Sequence, residues 1–380
     1  MTQRVGLVGC GNISEIYLVN AARFPAIRVV ACADLNPAAA KAKAEAHGIA
    51  DRSVANLIAA DDVDIVLNLT VPAAHAEVAL AALAAGKHVY TEKPLATTTA
   101  AGRLILESAA ARGLRVGAAP DTVLGAGVQT ARRLFDEGSL GRPVLGTAAV
   151  LSHGMEMWHP NPDFFFKSGG GPVLDMGPYY VATLLTLLGP VATVAAIGQI
   201  GNAERIITAP DSPFRGNTIK VETLTSVQAL LQFANGTQVS FLASWDVWNH
   251  SMPHVELHGT EGSLRVPDPN WFGGAVEVSR GGAPFEAVAT GGMVYGGANW
   301  PTFAGDVANY RGLGLADMAD AIEIGRPHRA NGDVGLHALA VMEAMLESAL
   351  AGGTTLAIDA PMERPAALGE DEARALTVTP

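Results

Sequence analysis

A glycine-rich turn near the N-terminus is the sequence feature that most strongly constrains the fold of this chain. Residues 9–14, GCGNIS, follow an apolar run at residues 4–8 and lead into a helical pattern. A strand, a turn with small residues at its first, third and sixth positions, and a helix predict the first unit of a dinucleotide-binding fold. Gly9 would form the tight turn, Gly11 would let the backbone approach a pyrophosphate, and Ser14 would pack closely on the strand. The candidate cofactor ligands in this turn are Gly9, Gly11, Asn12 and Ile13.

The second strand of this unit, residues 28–33, ends at Asp34. Dinucleotide-binding folds place here the acid that accepts hydrogen bonds from the adenosine ribose hydroxyls. Its charge would repel a 2′-phosphate, so the sequence predicts NAD as cofactor in preference to NADP. The alternative is that Asp34 only caps the helix that begins near Asn36 and Pro37.

The rest of the pattern predicts two domains. Strands and helices alternate as far as a strand at residues 115–118, which indicates a doubly wound parallel sheet. Beyond residue 122 most segments are β, and Asn235-Gly236 favours a hairpin with a type I′ turn. Helices near residues 177–188, 315–324 and 334–350 would cover one face of this sheet. The predicted fold is a Rossmann α/β domain, residues 1–122, followed by a mostly antiparallel, open-sheet α+β domain, residues 123–380, with a poorly ordered last dozen residues.

Charge and composition restrict the partners. The 380 residues carry a net charge of −12, which argues against nucleic acid or an anionic membrane surface. No apolar run approaches the roughly 18 residues that span a bilayer, and the N-terminus has no signal-peptide pattern. We therefore expect a cytoplasmic protein with a small-molecule substrate. Two histidines near residue 156 lack a third ligand at useful spacing, so no metal is predicted.

The stretch Thr91 to Leu95, TEKPL, lies at the end of a predicted strand. Ligands of open α/β sheets bind beyond these strand ends, so Lys93 would point into the cofactor crevice. The alternative is a surface lysine in an ordinary turn.

Several stretches together resemble one family. GLVGCGNIS, ADLNP, NLTVPAAHAEVALAALAAGKHVYTEKPLA and GGGPVLDMGPYY are similar to the glucose-fructose oxidoreductase, inositol dehydrogenase and rhizopine-catabolism (Gfo/Idh/MocA) family, and the resemblance runs through the chain. It implies an NAD-dependent oxidoreductase acting on a secondary alcohol of a sugar, glycoside or cyclitol. It also implies a cis Lys93–Pro94 bond and a homodimer or homotetramer formed through the open sheet. The further cofactor contacts that it implies are Thr70, Pro72, His75, Glu92 and Lys93, although His75 would alternatively be a solvent-exposed capping residue.

The family resemblance extends to the reacting groups, with one departure. The family lysine is accompanied by an Asp and a His spaced D-x-x-x-H, and here that spacing gives Asp175 and Tyr179. Tyrosine can act as the base when a neighbouring ammonium stabilises its phenolate, and Lys93 would supply that charge. Lys93, Asp175 and Tyr179 are thus the candidate catalytic residues, with Tyr180 expected to face elsewhere. The alternative is that Asp175 caps a helix and both tyrosines belong to the core.

Other polar and aromatic residues are candidates for substrate contact. Trp158 offers a platform for a sugar ring, and His159 and Asn161 offer hydrogen bonds to hydroxyls. Asp121 follows the last strand of the first domain, where it would contact substrate or cap the helix after Gly125. Two other functions stay open from the sequence: an NAD-dependent glycoside hydrolase or lyase that oxidises its substrate transiently, and a non-catalytic NAD or sugar sensor.

Overall fold

The computed structural model describes residues 2–302 and 304–378. The first six strands are β1 (Gln3–Val8), β2 (Ile27–Ala33), β3 (Ala50–Arg52), β4 (Ile65–Asn68), β5 (His88–Thr91) and β6 (Val116–Ala118). They form one parallel sheet in the order β3-β2-β1-β4-β5-β6. The helices between them are α1 (Ser14–Ala21), α2 (Pro37–His47), α3 (Val54–Ala59), α4 (His75–Ala84) and α5 (Thr99–Ala110). The strand order reverses between β1 and β4, and ligands of such folds bind at this switch point.

Both faces of this sheet are covered, as the continuous apolar strands predict. Along β1, Leu7 belongs to one buried cluster and Val8 to another. Along β4, Leu67 and Val66 divide in the same way. Successive side chains of a strand point to opposite faces, so each face has its own core. The prediction of a doubly wound Rossmann sheet is confirmed, and β3 is a strand that the sequence pattern did not indicate.

The second part of the chain contains a larger sheet. The strands are β7 (Pro143–Leu151), β8 (Val191–Gln199), β9 (Glu204–Ile206), β10 (Thr218–Lys220), β11 (Ser226–Phe233), β12 (Gln238–Ser244), β13 (Val255–Gly259), β14 (Gly262–Val266), β15 (Val276–Arg280), β16 (Glu286–Val288), β17 (Trp300–Thr302), β18 (Gly305–Val307) and β19 (Leu356–Ala357). Nine of them pair in the order β16-β15-β14-β13-β7-β12-β11-β8-β19, antiparallel except for β7 with β12. Two short pairs, β9 with β10 and β17 with β18, lie apart from it.

Helices cover one face of the nine-stranded sheet. The helices of this region are α6 (Ala126–Asp136), α7 (Pro172–Asp175), α8 (Gly177–Leu188), α9 (Leu313–Ile324), α10 (Gly332–Leu350) and α11 (Glu370–Ala375). Helices α6, α7, α8 and α10 pack on the nine-stranded sheet, whereas α9 packs on β2 and β6 of the first sheet, so the prediction that the helix near 315–324 covers the second sheet is wrong. Burial alternates strictly along β11: Leu231 is buried, whereas its neighbour Leu230 is 64% exposed. Ile197, on the neighbouring strand β8, is 61% exposed. The predicted α+β arrangement with one open face is confirmed.

Two local predictions are wrong. Among the non-glycine residues that the structure describes, only Tyr295 has a positive φ, so Asn235 cannot occupy a type I′ turn, which needs positive φ at both central positions. Gly236, at φ 88°, instead donates its N–H to Phe233 O, which is typical of a type I turn followed by a glycine bulge. Near the C-terminus, α11 replaces the expected disorder at residues 370–375 because Glu372 pairs with a buried arginine, and residues 379–380 of that prediction lie outside the described residues.

The two sheets are joined through the C-terminal segment. Asn331 forms a β-bridge with Gly117 at the edge strand β6, and Ala118 N–H donates to Ala330 O. Helix α10 then packs on both α5 and β8, so it contacts both parts of the chain. A boundary at residue 122 stays a prediction. Within the described ranges, no helix is both long and apolar enough to cross a membrane.

Candidate active site

The glycine turn lies directly against the backbone of the loop that follows β4. Gly9 has a φ of 101°, and a Cβ there would lie 2.6 Å from the carbonyl carbon and oxygen of Leu69, so only glycine fits. Gly11 faces open space, with no heavy atom within 4 Å of the position of a Cβ. Ser14 is fully buried and donates to Gly11 O at 2.6 Å. An open backbone turn in front of α1 is the cradle that a pyrophosphate requires, so these residues fit a dinucleotide.

Asp34 is tied to this turn. Its Oδ2 accepts the N–H of Cys10 at 2.8 Å and its Oδ1 accepts the N–H of Asn36 at 2.8 Å. The cap of α2 is Asn36, whose side chain accepts the N–H of Ala38, so the capping alternative for Asp34 is wrong. Each carboxylate oxygen keeps a lone pair that can accept a ribose hydroxyl.

The loop after β4 is fixed by a histidine. His75 is fully buried, and its ring nitrogens lie 2.7 Å from Pro94 O and 3.0 Å from Thr70 O. The alternative of a solvent-exposed capping residue is therefore wrong. The imidazole instead links the Thr70 loop to the Lys93–Pro94 bond, which is cis as predicted. His75 is thus a positioning residue for this loop, and Pro72 of the same loop lines a cavity with Lys93.

Glu92 and Lys93 directly follow β5, and their charged side chains have different partners. The Glu92 carboxylate is buried and accepts from Tyr17 Oη at 2.8 Å and from Lys93 N at 2.9 Å. The Lys93 ammonium donates to Asp175 Oδ1 at 2.9 Å and to Asp175 O at 2.6 Å. Burial, the largest single effect, lowers the pKa of Lys93, but the combined effect of Asp175, Tyr179 and Glu92 outweighs it, so the pKa is raised. Lys93 is a paired, charged group inside the protein, so the surface-lysine alternative is wrong.

Asp175 and Tyr179 come from two consecutive helices. Asp175 ends α7, whereas the cap of α8 is Met176, so Asp175 does not cap that helix. Tyr179, 6% exposed, lies in the first turn of α8 with its ring centroid 5.2 Å from Lys93 Nζ. The three candidate catalytic residues are therefore neighbours.

Tyr180 points away from this cluster, as predicted. Its hydroxyl lies 2.8 Å from His254 Nδ1, and its ring packs edge-on against Phe241 of the second sheet. Burial raises the pKa of Tyr180 well above its ordinary value. The alternative that the tyrosines belong to the core is therefore correct for Tyr180.

The structure adds a cation that the sequence did not indicate. Arg311 donates from Nη2 to Tyr179 Oη at 3.2 Å and is 5% exposed. It lies 132 positions from Tyr179 along the chain. The only sequence signal was its place just before the glycines that begin α9.

Asp121 has a different environment from either expectation. It is 1% exposed, and its Oδ2 accepts the N–H groups of Gly312 at 2.9 Å and Gly314 at 3.0 Å. The helix that it holds is thus α9 and not α6, which is capped by Gly125 without a side-chain bond. Burial raises the pKa of Asp121 to about 6. A contact with substrate stays a prediction.

A cavity of about 120 Å³ opens beside Lys93 and Asp175. Of the predicted substrate contacts, only these two line it. The other lining residues are Pro72, Pro94, Ala96, Thr97, Phe164, Phe165, Gly169, Gly170, Leu174 and Leu339. Phe164 and Phe165 had not been identified from the sequence, although three consecutive phenylalanines in a chain with only 6% aromatic residues were a usable signal.

The predicted sugar platform adjoins this cavity through aromatic contacts. Trp158 is 55% exposed and meets the His159 ring edge-on, and His159 in turn packs edge-on against Phe164 and Phe165. His159 Nδ1 accepts the N–H of Asn161, which is exposed. Within residues 2–302 and 304–378, no three His, Cys, Asp or Glu side chains are grouped so as to hold a metal ion.

Both halves of the chain match models of one family. Residues 3–119 match the model described as "Oxidoreductase family, NAD-binding Rossmann fold", and residues 128–265 match the GFO/IDH/MocA C-terminal domain. Inositol 2-dehydrogenase 3 from Saccharopolyspora erythraea is 36% identical over 275 residues, which are 71% of this chain and 74% of that protein. The 1,5-anhydro-D-fructose reductase of Ensifer adhaerens is 28% identical over 268 residues, 69% of this chain and 74% of that protein.

Solved structures share the whole architecture. An oxidoreductase from Agrobacterium radiobacter in complex with NAD+, L-tartaric acid and magnesium aligns with a TM-score of 0.79 at 18% identity, over 94% of this chain and 99% of that one. Levoglucosan dehydrogenase in complex with NADH and levoglucosan aligns with a TM-score of 0.79 at 24% identity, over 95% and 100% of the two chains. At such identities the likeness concerns the fold. Together with the family models, it shows that the chain belongs to the Gfo/Idh/MocA family of oxidoreductases, with an NAD-binding Rossmann domain at its N-terminus.

Proposed function

We propose that the protein is an NAD-dependent dehydrogenase that oxidises a secondary alcohol of a sugar, glycoside or cyclitol. Lys93, Asp175 and Tyr179 would form its reacting centre. The observation that carries this proposal is the ion pair of Lys93 with Asp175, because it joins the end of β5 to α7 beside a cavity. Relatives named inositol 2-dehydrogenase and levoglucosan dehydrogenase support the substrate class.

The geometry suggests how these side chains divide the work. The glycine turn and Asp34 would hold NAD, whose nicotinamide would supply the acceptor for the hydride of the substrate carbon. Lys93 gives two of its three N–H groups to Asp175, so one N–H remains to hold the substrate oxygen and stabilise negative charge on it. Asp175 keeps the ammonium aimed at the cavity. The hydroxyl proton would move to Tyr179, whose ring lies against Lys93.

Kinetics of three variants test this centre. Tyr179→Phe removes only the hydroxyl, so NAD should still bind while kcat falls by about 10²-fold, the usual scale of acid–base catalysis. Lys93→Met should be at least as damaging, because it removes both the charge and the remaining N–H. Tyr180→Phe is the matched control, since that tyrosine faces His254, and should be mild. Near-normal turnover in Tyr179→Phe would contradict the assignment.

The substrate is found by a screen of sugars, cyclitols and glycosides with NAD and NADP, followed as NADH or NADPH absorbance. Net reduction of the nicotinamide supports the dehydrogenase. Release of an aglycone without net NADH would indicate instead a glycoside hydrolase or lyase with transient oxidation. Binding without turnover of any substrate would indicate a sensor.

Selection of NAD is assigned to Asp34 in the same proposal. Its carboxylate accepts from Cys10 N–H in the glycine turn, where the charge would repel a 2′-phosphate. Asp34→Ser combined with Leu35→Arg should relax the preference toward NADP, since Leu35 is 94% exposed and an arginine there can reach the phosphate. If the unmodified protein already uses both cofactors equally, this role of Asp34 is wrong.

We also propose that two or four copies associate through the open face of the nine-stranded sheet, and that the protein works in the cytoplasm. Leu230 and Ile197 expose apolar side chains on that face. Leu230→Lys should reduce the mass measured by light scattering, whereas Leu104→Lys, an equally drastic change on the exposed side of α5, should not. An unchanged mass in Leu230→Lys would contradict this interface.

A further inference from the structure

The side-chain hydrogen-bond partners of Arg311 are all neutral. Its Nη1 donates to Asn309 Oδ1 at 2.8 Å, and its Nη2 donates to Asn270 Oδ1 at 2.8 Å and to Tyr179 Oη at 3.2 Å. The guanidinium carbon lies 5.7 Å from the ring centroids of both Tyr179 and Trp271. Arginine stays protonated in proteins, so this site contains a permanent, buried positive charge.

Other buried arginines are paired with carboxylates. Arg132 pairs with Asp136, Arg205 with Glu156 and Asp246, and Arg329 with Asp317 and Glu372. Arg311 forms no such pair with any Asp or Glu of the described ranges. A buried charge without a counter-ion is costly, and charged groups in such perturbed environments cluster at functional sites.

We infer that the Tyr179 phenolate is the counter-ion of Arg311, and that Arg311 is the residue that holds Tyr179 ready to accept the substrate proton. This inference rests on the proposed function. A guanidinium can only donate hydrogen bonds, so Tyr179 Oη accepts from it and the phenolic proton points elsewhere. When that proton leaves, the contact becomes a charge-assisted hydrogen bond and strengthens.

The charge of Lys93 is less available for this purpose. The sequence suggested Lys93 as the cation that activates Tyr179, but its ammonium makes two hydrogen bonds to Asp175 and is largely neutralised by that carboxylate. Lys93 meets the face of the Tyr179 ring, whereas Arg311 meets the oxygen itself. Arg311 is thus a positioning residue that acts through Tyr179.

Carboxylates and cations near Arg311 and Tyr179 have opposite effects on the ionisation of Tyr179. Glu92 and Asp121 lie close enough to influence Arg311, and as anions they disfavour a phenolate. The titratable and charged groups that surround Tyr179, Arg311 and their immediate neighbours Lys93 and Tyr180 are Tyr17, Glu92, Asp121, Asp175, His254 and Asp268. With Lys93 paired, Arg311 is the principal cation that offsets these carboxylates.

The first test is the pH dependence of kcat/KM in Arg311→Gln and Arg311→Lys. If Arg311 stabilises the phenolate, Arg311→Gln should lose about tenfold or more near pH 7, and this loss should shrink toward pH 10 as tyrosine ionises unaided. Arg311→Lys should fall between that variant and the unmodified enzyme. A loss of equal size at every pH, with rescue by lysine absent, would overturn the inference and leave Arg311 a structural role.

The second test does not depend on turnover. Tyrosinate absorbance of the protein without cofactor is titrated for the unmodified protein and for Arg311→Lys, with Tyr179→Phe and Tyr180→Phe as assignments. One tyrosine should ionise earlier than the others, vanish in Tyr179→Phe, persist in Tyr180→Phe, and move to higher pH in Arg311→Lys. An unmoved Tyr179 signal in Arg311→Lys would refute the pairing. Normal turnover in Tyr179→Phe would instead refute the proposed function, while this titration still decides the pairing.

Discussion

Arg329 and Arg311 are buried to the same degree, with 5% of each residue exposed, but their charges are compensated differently. Arg329 donates to Asp317 Oδ1 at 2.6 Å and to Glu372 Oε2 at 2.5 Å. The partners of the Arg311 guanidinium within the described ranges are all neutral: the side-chain amides of Asn270 and Asn309, the backbone carbonyl of Asn270 and the hydroxyl of Tyr179. A cation with two carboxylates is satisfied by the fold alone, whereas a cation with neutral partners can still stabilise a charge that forms during a reaction.

Because of this difference, we expect Arg329 to contribute mainly to stability and Arg311 mainly to activity. Asp317 lies in α9 and Glu372 in α11, so the Arg329 network connects two helices of the C-terminal region. Disturbing it should unfold the protein more easily. Disturbing Arg311 should leave the fold largely intact and change the chemistry at Tyr179.

The largest effect is expected at Asp317. This residue is fully buried and accepts from both Arg329 and Arg326. Asp317→Asn keeps the shape but leaves the buried Arg329 with only the exposed Glu372 as a carboxylate partner, and breaking such a buried pair costs about 3–5 kcal/mol. The free energy of unfolding in urea measures it. Glu137→Ala, which removes an exposed pair with Arg133, is the control and should cost about 0.5 kcal/mol or less.

A loss below about 1 kcal/mol in Asp317→Asn would contradict the comparison, because that is the range of exposed ion pairs. The Arg329 network would then be no more structural than a surface contact.

The next effect is on the pH dependence of stability. A buried group beside Arg329 and a buried group beside Arg311 change the free energy of unfolding in opposite directions as the pH falls. His328, next to Arg329 in the chain, is buried, and desolvation lowers its pKa to about 4. Below its ordinary pKa of about 6.5, the unfolded chain binds a proton that the native His328 does not, so falling pH destabilises the protein. Asp121, at the start of α9 beside Arg311, has a pKa raised to about 6 by burial. Between about pH 6 and 4 the native Asp121 binds a proton that the unfolded chain does not, so falling pH stabilises it.

These two contributions, each of roughly 3 kcal/mol at most, should partly cancel between pH 6 and 4. Asp121→Asn, which can still accept from Gly312 and Gly314, removes the stabilising one, so its free energy of unfolding should fall more steeply with acid than that of the unmodified protein. His328→Gln removes the destabilising contribution, so the free energy of unfolding of this variant should fall less steeply with acid. Urea denaturation at several pH values gives the slopes, and three equal slopes would show that neither group is perturbed.

The first sheet and half of the candidate site were predictable because their signals are local. The GCGNIS turn and Asp34 lie within one βαβ unit, where chain order sets the geometry. Lys93 was identified from its place at the end of a predicted strand, whereas its association with Asp175, 82 positions away, came only from the family pattern. Phe164 and Phe165 were not identified, because an aromatic run gives no information about which cavity it faces.

Arg311 was unpredictable for a physical reason. Its position is set by long-range contacts: Asn20 in α1 donates to Asn309 O and Arg311 O, and Asp121 accepts from Gly312 N–H. No local pattern encodes contacts across 191 or 291 positions. The same limitation applies to α11, whose six residues gain their order from Arg329 and Tyr295.

The smallest expected effect is on the stability of Arg311→Gln, and it separates the two arginines most directly. The hydrogen-bond partners that glutamine leaves behind are neutral, and the nearby carboxylates Glu92 and Asp121 keep their own donors, so the change should stay within about 1 kcal/mol. Arg329→Gln is the matched variant at equal burial, and it should cost about 3 kcal/mol because it leaves the fully buried Asp317 with a single guanidinium partner. Urea denaturation of both variants near neutral pH gives the two values. If Arg311→Gln proved as destabilising as Arg329→Gln, its contacts with Asn270 and Asn309 would be structural, and its influence on Tyr179 would follow from packing and not from charge.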